Sequence, residues 1–399
     1  MTENTALPVQ TLDAFVIGGG PAGLMAAQAL LDAGRAVVLA EAKPTVGRKF
    51  LMAGKSGLNL TKDEPFEAFM AAYLGDAAHL RPMIAQFGPQ QVKDWAESLG
   101  QTLFTGSSGR VFPTVMKASP LLRQWMAQLQ AQGLDLRVGH RWIGWNGDST
   151  CLDGPDGPYL ANAKVTILAL GGGSWARLGS DGAWRTYFEG EGIRLVPFAP
   201  SNAGLQITWS QHMTAHFGAP LKNTVFKAGD LTSRGEAVIS SRGFEGGGIY
   251  PLGPALRDGA SLKLDLLPDQ TGQALTAKLA KPRGKQSLSN HLRKVTRLSP
   301  ATLALINEVA RPLPNDPAAL AHLLKNLTVP HNGLRPLDEA ISTAGGVPFD
   351  ELTPDLMLKK RPGTYCVGEM LDWDAPTGGY LLTACLATGL WAGQRAAKA

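Results

Sequence analysis

The chain has 399 residues, is 44% hydrophobic and 18% charged, and carries a formal charge of +5. That is an ordinary composition for a soluble globular protein, and it excludes a disordered or low-complexity chain. The length points to two or three domains.

No apolar run approaches the roughly 18 residues of a membrane span. Residues 1–11 lack the basic start and apolar core of a signal peptide, so cytoplasm is the expected location. Cys151, Cys366 and Cys385 form neither a C-x-x-C pair nor a zinc spacing. They read as spectators, and no metal site is expected.

Residues 13–41, DAFVIGGGPAGLMAAQALLDAGRAVVLAE, predict a strand over Ala14–Ile17, a helix, and a second strand over Ala36–Ala40. Gly18, Gly20 and Gly23 spell G-x-G-x-x-G between strand and helix. Gly18 makes the turn, Gly20 lets a pyrophosphate approach, and Gly23 lets helix pack on strand. A helix N-terminus favours the phosphate charge. Glu41, 18 residues past Gly23, is placed to accept hydrogen bonds from ribose hydroxyls. A dinucleotide is therefore expected at Gly18, Gly20, Pro21, Ala22, Gly23, Glu41 and Ala42. The motif alone does not choose between FAD and NAD.

Residues 164–176, KVTILALGGGSWA, predict a strand over Val165–Leu170 and a second glycine cluster. Gly171, Gly173 and Ala176 could spell a second, NAD(P)H-binding fingerprint. Trp175 is bulky where its pyrophosphate would lie, and Gly179 and Gly182 break the helix that should come next. The better match is the strand-plus-glycine element that closes the FAD domain of glutathione-reductase-type flavoproteins, with Gly171 and Gly172 under the cofactor.

Beyond Gly192 the chain leaves that domain. Residues 193–267 read as strands, including Ser261–Leu267, and 268–325 as helices. A return strand is expected over 326–341. The dinucleotide domain, begun over 1–192, resumes over 342–399. Between Gln270 and Asn307 there is no Asp or Glu, but Lys278, Lys281, Arg283, Lys285, Arg293, Lys294 and Arg297 are present. Such a stretch is either a solvated helix surface or a face for a polyanion, RNA being the expected one.

Thr364–Gly368 predicts a strand, followed by Glu369 and by TGGYLLTACLATGLWAG (377–393). In glutathione-reductase-type folds the Gly-acid end of such a strand sets its carboxylate on the ribityl chain of FAD. The next helix aims its N-terminus at the pyrimidine end of the flavin, where reduction gathers negative charge. Gly378 and Gly379 are expected against the isoalloxazine, where a Cβ would collide. NAD needs no such distant second contact, so FAD is favoured.

Four stretches carry a family resemblance: VIGGGPAGLMAA (16–27), GRKFLMAGKSGLNLT (47–61), SGRVFPTVMKAS (108–119) and residues 342–380. The chain resembles the BaiN-like family of bacterial NAD(P)/FAD-dependent oxidoreductases. That family includes aminoacetone-oxidase-like and ribosomal-RNA dihydrouridine-synthase-like members. The resemblance implies an α/β fold: a glutathione-reductase-type, Rossmann-like FAD domain in two pieces, with an inserted β-rich domain that carries a small helical domain. It implies non-covalent FAD, with NAD(P)H as candidate transient electron donor.

It further implies Arg48 and Lys49 near the adenosine and pyrophosphate, Lys55–Asn59 along the flavin, the backbone of Trp142 near the adenine, and Gly368, Glu369, Tyr380 and Leu381 at the cofactor. The family loop Gly-Gly-Arg-Cys-Asn is here Lys55-Ser56-Gly57-Leu58-Asn59, so a Cys acid or nucleophile is absent. Gly-Gly-Tyr-Asn is here Gly378-Gly379-Tyr380-Leu381.

Lys55, Arg110, Tyr250 and Tyr380 are the polar residues expected nearest the flavin. Lys55, Arg110 and Tyr380 are the candidates for chemistry. Three functions are compatible with the sequence: a small-molecule dehydrogenase or oxidase with substrate between the FAD and inserted domains, a reductase of a base in structured RNA, and a flavin-binding protein without redox turnover.

Overall fold

The computed structural model describes residues 7–55, 57–75 and 77–399. Strand β1 (Val9–Ile17), helix α1 (Pro21–Asp32) and strand β2 (Val37–Glu41) succeed one another as the glycine motif requires. The remaining elements around the site are strands β3 (Thr61–Lys62), β4 (Arg110–Pro113), β5 (Gly157–Leu168) and β6 (Thr364–Cys366), and helix α2 (Tyr380–Ala396).

The central sheet runs parallel in the order Asp135–Val138, β2, β1, β5, with β6 on the far end of β5. Its strands end in buried runs: Ala14–Ile17 and Val37–Ala40 are buried without interruption, as a sheet covered on both faces demands. β5 is longer than its apolar part suggests. Its first half pairs antiparallel with Ser149–Gly154, so one strand joins the parallel sheet to a meander.

Helices α1 and α2 pack on each other through small residues. A Cβ on Gly389 would lie 2.2 Å from Ala22 O, and one on Gly393 2.7 Å from Ala26 O. The two glycines are one turn apart, so they form a single flat stripe against Ala22 and Ala26. Gly393→Ala is expected to overpack this contact at a cost of about 1–3 kcal/mol. Thermal denaturation should show it as a fall of roughly 2–4 °C per kcal/mol.

The chain divides into two compact units. One holds the described residues up to Ala199 together with Ser342–Ala399, and the other is Pro200–Ile341. The second contains a six-stranded antiparallel sheet, ordered Leu205–Gln206, Gly243–Glu245, Leu231–Ser240, Pro220–Ala228, Leu262–Asp265, Leu327–Val329. It also contains the helices Gly272–Leu279, Leu288–Thr296, Pro300–Ala310 and Pro317–Lys325. Leu275, Leu292, Leu305 and Leu320 of these helices share one core with Phe226, Ile239 and Leu264 of the strands. Strands and helices here therefore make one unit with one core. Among the described residues no helix is long and apolar enough to cross a membrane.

Candidate functional site

The site begins where β1 gives way to α1. Gly18 turns the chain with φ +106, and a Cβ there would strike Ala169 O at 2.3 Å. Gly23 would strike Gly18 O at 1.9 Å. Protein packing thus accounts for both. Gly20 differs: its φ is −80, which any residue adopts, and nothing lies within 4 Å of its would-be Cβ. It stands at the start of α1, with Pro21 in the first turn and no side chain capping the helix. No side chain caps this helix start, and no contact inside the protein requires a glycine at position 20.

Glu41 closes the same loop. Its Oε2 accepts from Gly19 N–H and its Oε1 from Lys43 N–H, both at 2.8 Å. Two backbone donors fix the carboxylate while each oxygen keeps a lone pair for a hydroxyl. The Glu41 carbonyl accepts from His140 N–H at 3.0 Å, which brings the strand carrying Trp142 (Arg141–Asn146) to this end of the sheet. The Trp142 ring is packed among Trp145, Tyr187 and Phe188.

A second cluster gathers four distant segments. Lys49 Nζ donates to Glu369 Oε2 at 2.6 Å and to Ser174 Oγ at 3.0 Å. Glu369 Oε1 accepts from Thr343 N–H at 3.0 Å, and Thr343 Oγ1 accepts from Gly173 N–H at 2.9 Å. The resemblance assigns Lys49 to the pyrophosphate and Glu369 to the ribityl chain; the structure places them on each other. Ser174 and Thr343 carry no sequence signal that marks them for this cluster.

The glycine cluster at 171–173 is a packed turn. Trp184 Nε1 donates to Gly171 O and Ser180 Oγ to Gly172 O, both at 2.9 Å. The chain then makes a single 3₁₀ turn, Ala176–Leu178, and not an α-helix. A second NAD(P)H fingerprint therefore lacks the helix start it needs.

The glycine pair at 378–379 also has a reason inside the protein. A Cβ on Gly379 would lie 2.3 Å from Thr61 Cα, so β3 packs directly on the residue and by itself requires glycine there. Gly378 has φ +132, and its would-be Cβ meets Tyr380 Cε2 at 3.4 Å and Arg110 Nε at 3.6 Å. Arg110 is half-buried there and has no ion pair among the described residues.

Tyr380 is also more deeply engaged than expected. Its hydroxyl donates to Glu64 Oε1 at 2.5 Å and accepts from Lys62 Nζ at 3.0 Å. Lys62 is in turn paired with Glu64 at 2.7 Å, and Tyr73 Oη donates to the Tyr380 carbonyl at 2.8 Å. Burial, reinforced by the Glu64 contact and opposed by Lys62, raises the pKa of the Tyr380 hydroxyl, which keeps its proton. Lys62, Glu64 and Tyr73 escaped sequence reasoning. Glu64 and Tyr380 are 316 residues apart, and no local pattern links them.

Leu381 lies in the first turn of α2, Gly368 packs on Ala22, and Lys55 is exposed. Ser56 lies outside the described residues. Tyr250 belongs to the second unit. Arg48 Nε, Asn59 Oδ1 and Trp142 Nε1 are enclosed without a hydrogen-bond partner among the described residues. Trp95 Nε1, away from these loops, is in the same state, so this alone does not mark a site. Burial pushes the Cys366 thiol far up and the Cys385 thiol to about 12, so neither supplies a thiolate.

Residues 12–395 match the family model described as the HI0933-like protein Rossmann domain. The chain belongs to this family. The HI0933-like assignment agrees with the resemblance carried by the four motifs. A 3-dehydro-bile acid delta(4,6)-reductase of Clostridium scindens is 28% identical, over 96% of this chain and 98% of that protein. A ribosomal RNA dihydrouridine synthase of Escherichia coli is 25% identical, over 93% and 94%. Among solved structures, the 3-ketosteroid delta1-dehydrogenase of Sterolibacterium denitrificans is similar in fold. It has a TM-score of 0.52 at 13% identity, covering 97% of this chain and 99% of that one. The chain is an oxidoreductase with a flavoprotein-type Rossmann fold.

Proposed function

We propose that the chain is an FAD-dependent oxidoreductase that passes hydride between flavin N5 and a small organic substrate. The observation that carries this is Gly20: a glycine that neither packing nor backbone conformation requires, at an uncapped helix start, beside a carboxylate held by two backbone amides. FAD supplies the redox chemistry when bound.

The chain's own residues position and exclude. Glu41 offers lone pairs to the ribose, and its charge repels a 2′-phosphate. Lys49 and Glu369 tie the glycine-rich turn to the end of β6. Arg110, without an ion pair among the described residues and next to Gly378, offers a cation to an electronegative substrate oxygen. Tyr380 holds a proton on a hydroxyl bridged by Glu64 and Lys62. The bile-acid reductase supports a small-molecule substrate.

Purified protein should be yellow, and heat or acid should release FAD. Glu41→Ala should weaken FAD binding by about 1–3 kcal/mol, the cost of losing charged hydrogen bonds, read by titrating apoprotein. Release of FMN, or failure to reconstitute with FAD, would overturn the reading.

A second reading, reduction of a base in structured RNA, is favoured by one observation. All seven cations between Lys278 and Arg297 are exposed, and none has an ion pair among the described residues. The name of the Escherichia coli relative supports it as well. Binding to ribosomal RNA fragments should then fall with salt, with a log–log slope of about −0.7 per phosphate on single strands. Changing Lys281, Arg283 and Lys285 to Glu should weaken it. Equal binding by wild type and this variant at low salt would leave the small-molecule reading alone.

A further inference from the structure

The second unit holds a cavity of about 590 Å³ between the strand Pro220–Ala228 and the start of the helix Pro300–Ala310. That volume falls in the range of small-molecule sites, about 300–1,000 Å³. Leu266, Leu267 and Leu298 give it an apolar wall, and Lys222 and Arg297 stand at it as cations. Both side chains are exposed, and neither has an ion pair among the described residues.

The one carboxylate on the lining, Asp269, is already occupied. It accepts from Arg234 at 2.6 Å and from Asn223 at 2.7 Å, and these contacts lower its pKa. Arg297 also lies within the acid-free stretch, so no acid between Gln270 and Asn307 reaches the cavity. The helix start contributes nothing by itself, because Ser299 Oγ already caps it by accepting from Thr302 N–H at 3.1 Å. The combination is two cations without an ion pair at the edge of an apolar recess.

We infer that this cavity binds an organic phosphate, with the phosphate on Lys222 and Arg297 and the organic body against the leucine wall. The inference does not rest on the flavin reading, since every residue in it belongs to the second unit. The phosphate has two sources: a free mononucleotide, or a nucleotide within a single strand whose neighbouring phosphates reach the other exposed cations.

The test titrates FAD-loaded protein with uridine 5′-monophosphate, uridine, inorganic phosphate and a short oligouridylate, followed by calorimetry. Uridine 5′-monophosphate should bind at least tenfold tighter than uridine and than inorganic phosphate. Lys222→Glu combined with Arg297→Glu should lose at least tenfold, while the Lys281, Arg283 and Lys285 variant keeps mononucleotide binding. Tighter binding of the oligouridylate, lost in both variants, would assign the strand source. The monophosphate alone would assign the free source. Both surface substitutions leave the core intact, which an unchanged melting curve checks. If neither nucleotide ligand binds better than inorganic phosphate, or the double variant binds equally well, the cavity is no organic-phosphate site.

Discussion

Gly20→Ala is expected to give a folded, slightly more stable protein that has lost its cofactor. The backbone at Gly20 has φ −80 and ψ 178, which alanine adopts without strain, and no heavy atom lies within 4 Å of the added methyl. A glycine replaced at a compatible position stabilises by about 0.4–1 kcal/mol, because the unfolded chain loses freedom. The methyl would project into the space in front of α1, where the helix start and its dipole favour a phosphate. FAD occupancy, read from the ratio of visible to ultraviolet absorbance, should fall at least tenfold while the apoprotein melts at the same temperature or slightly higher. Gly18→Ala is the contrast. With φ +106 and Ala169 O at 2.3 Å, it should destabilise the protein whether or not a cofactor is present. A Gly20→Ala protein that keeps full FAD would remove the observation on which the proposed function stands.

The difference between these two glycines shows what the sequence could and could not reveal. The order strand, G-x-G-x-x-G, helix, strand, acid is local, and local order sets the hydrogen bonds that make β1, α1 and β2. The place of Glu41 at the end of β2 was therefore legible, but not the amides of Gly19 and Lys43 that its carboxylate holds. The motif could not say which glycine serves the protein and which serves a ligand. That depends on Ala169, which the sheet brings alongside from a distant strand.

The same limit explains Tyr380. Its position after the glycine pair was plain, but its partners Lys62 and Glu64 come from a short strand and loop with no periodic signal. In the second unit, segment composition separated a strand-rich stretch from a helical one, although the short helix Gly253–Arg257 lies in the former. It could not show that Leu275, Leu292 and Leu305 bury against the sheet, because an apolar helix face looks the same whatever covers it. Gly389 and Gly393 stand one turn apart in the sequence, but the meaning of that spacing needs the identity of the facing helix.

Gly379→Val should damage the fold itself, and the flavin site with it. The glycine sits at φ +99 and ψ −15, where a β-branched residue is strained by about 1–3 kcal/mol. Its Cβ would lie 2.3, 2.5 and 2.8 Å from Cα, C and N of Thr61, which is backbone and cannot rotate away. Thr61 cannot retreat either. It is fully buried, pairs with Val111 of β4, and shares a hydrogen bond of 2.9 Å with Thr383 of α2. Overpacking of this kind adds about 1–3 kcal/mol more, so melting should fall by roughly 10 °C. Displacing β3 would also draw Lys62 from Tyr380, loosening the start of α2. FAD occupancy and melting temperature should therefore fall together, unlike the separation expected for Gly20→Ala. Gly378→Ala separates strain from clash. Its φ of +132 is unfavourable, but its Cβ meets nothing closer than 3.4 Å, so its melting should fall less than half as far. A Gly379→Val protein with wild-type melting and reduced FAD would mean that β3 yields freely, and that the glycine pair faces the cofactor after all.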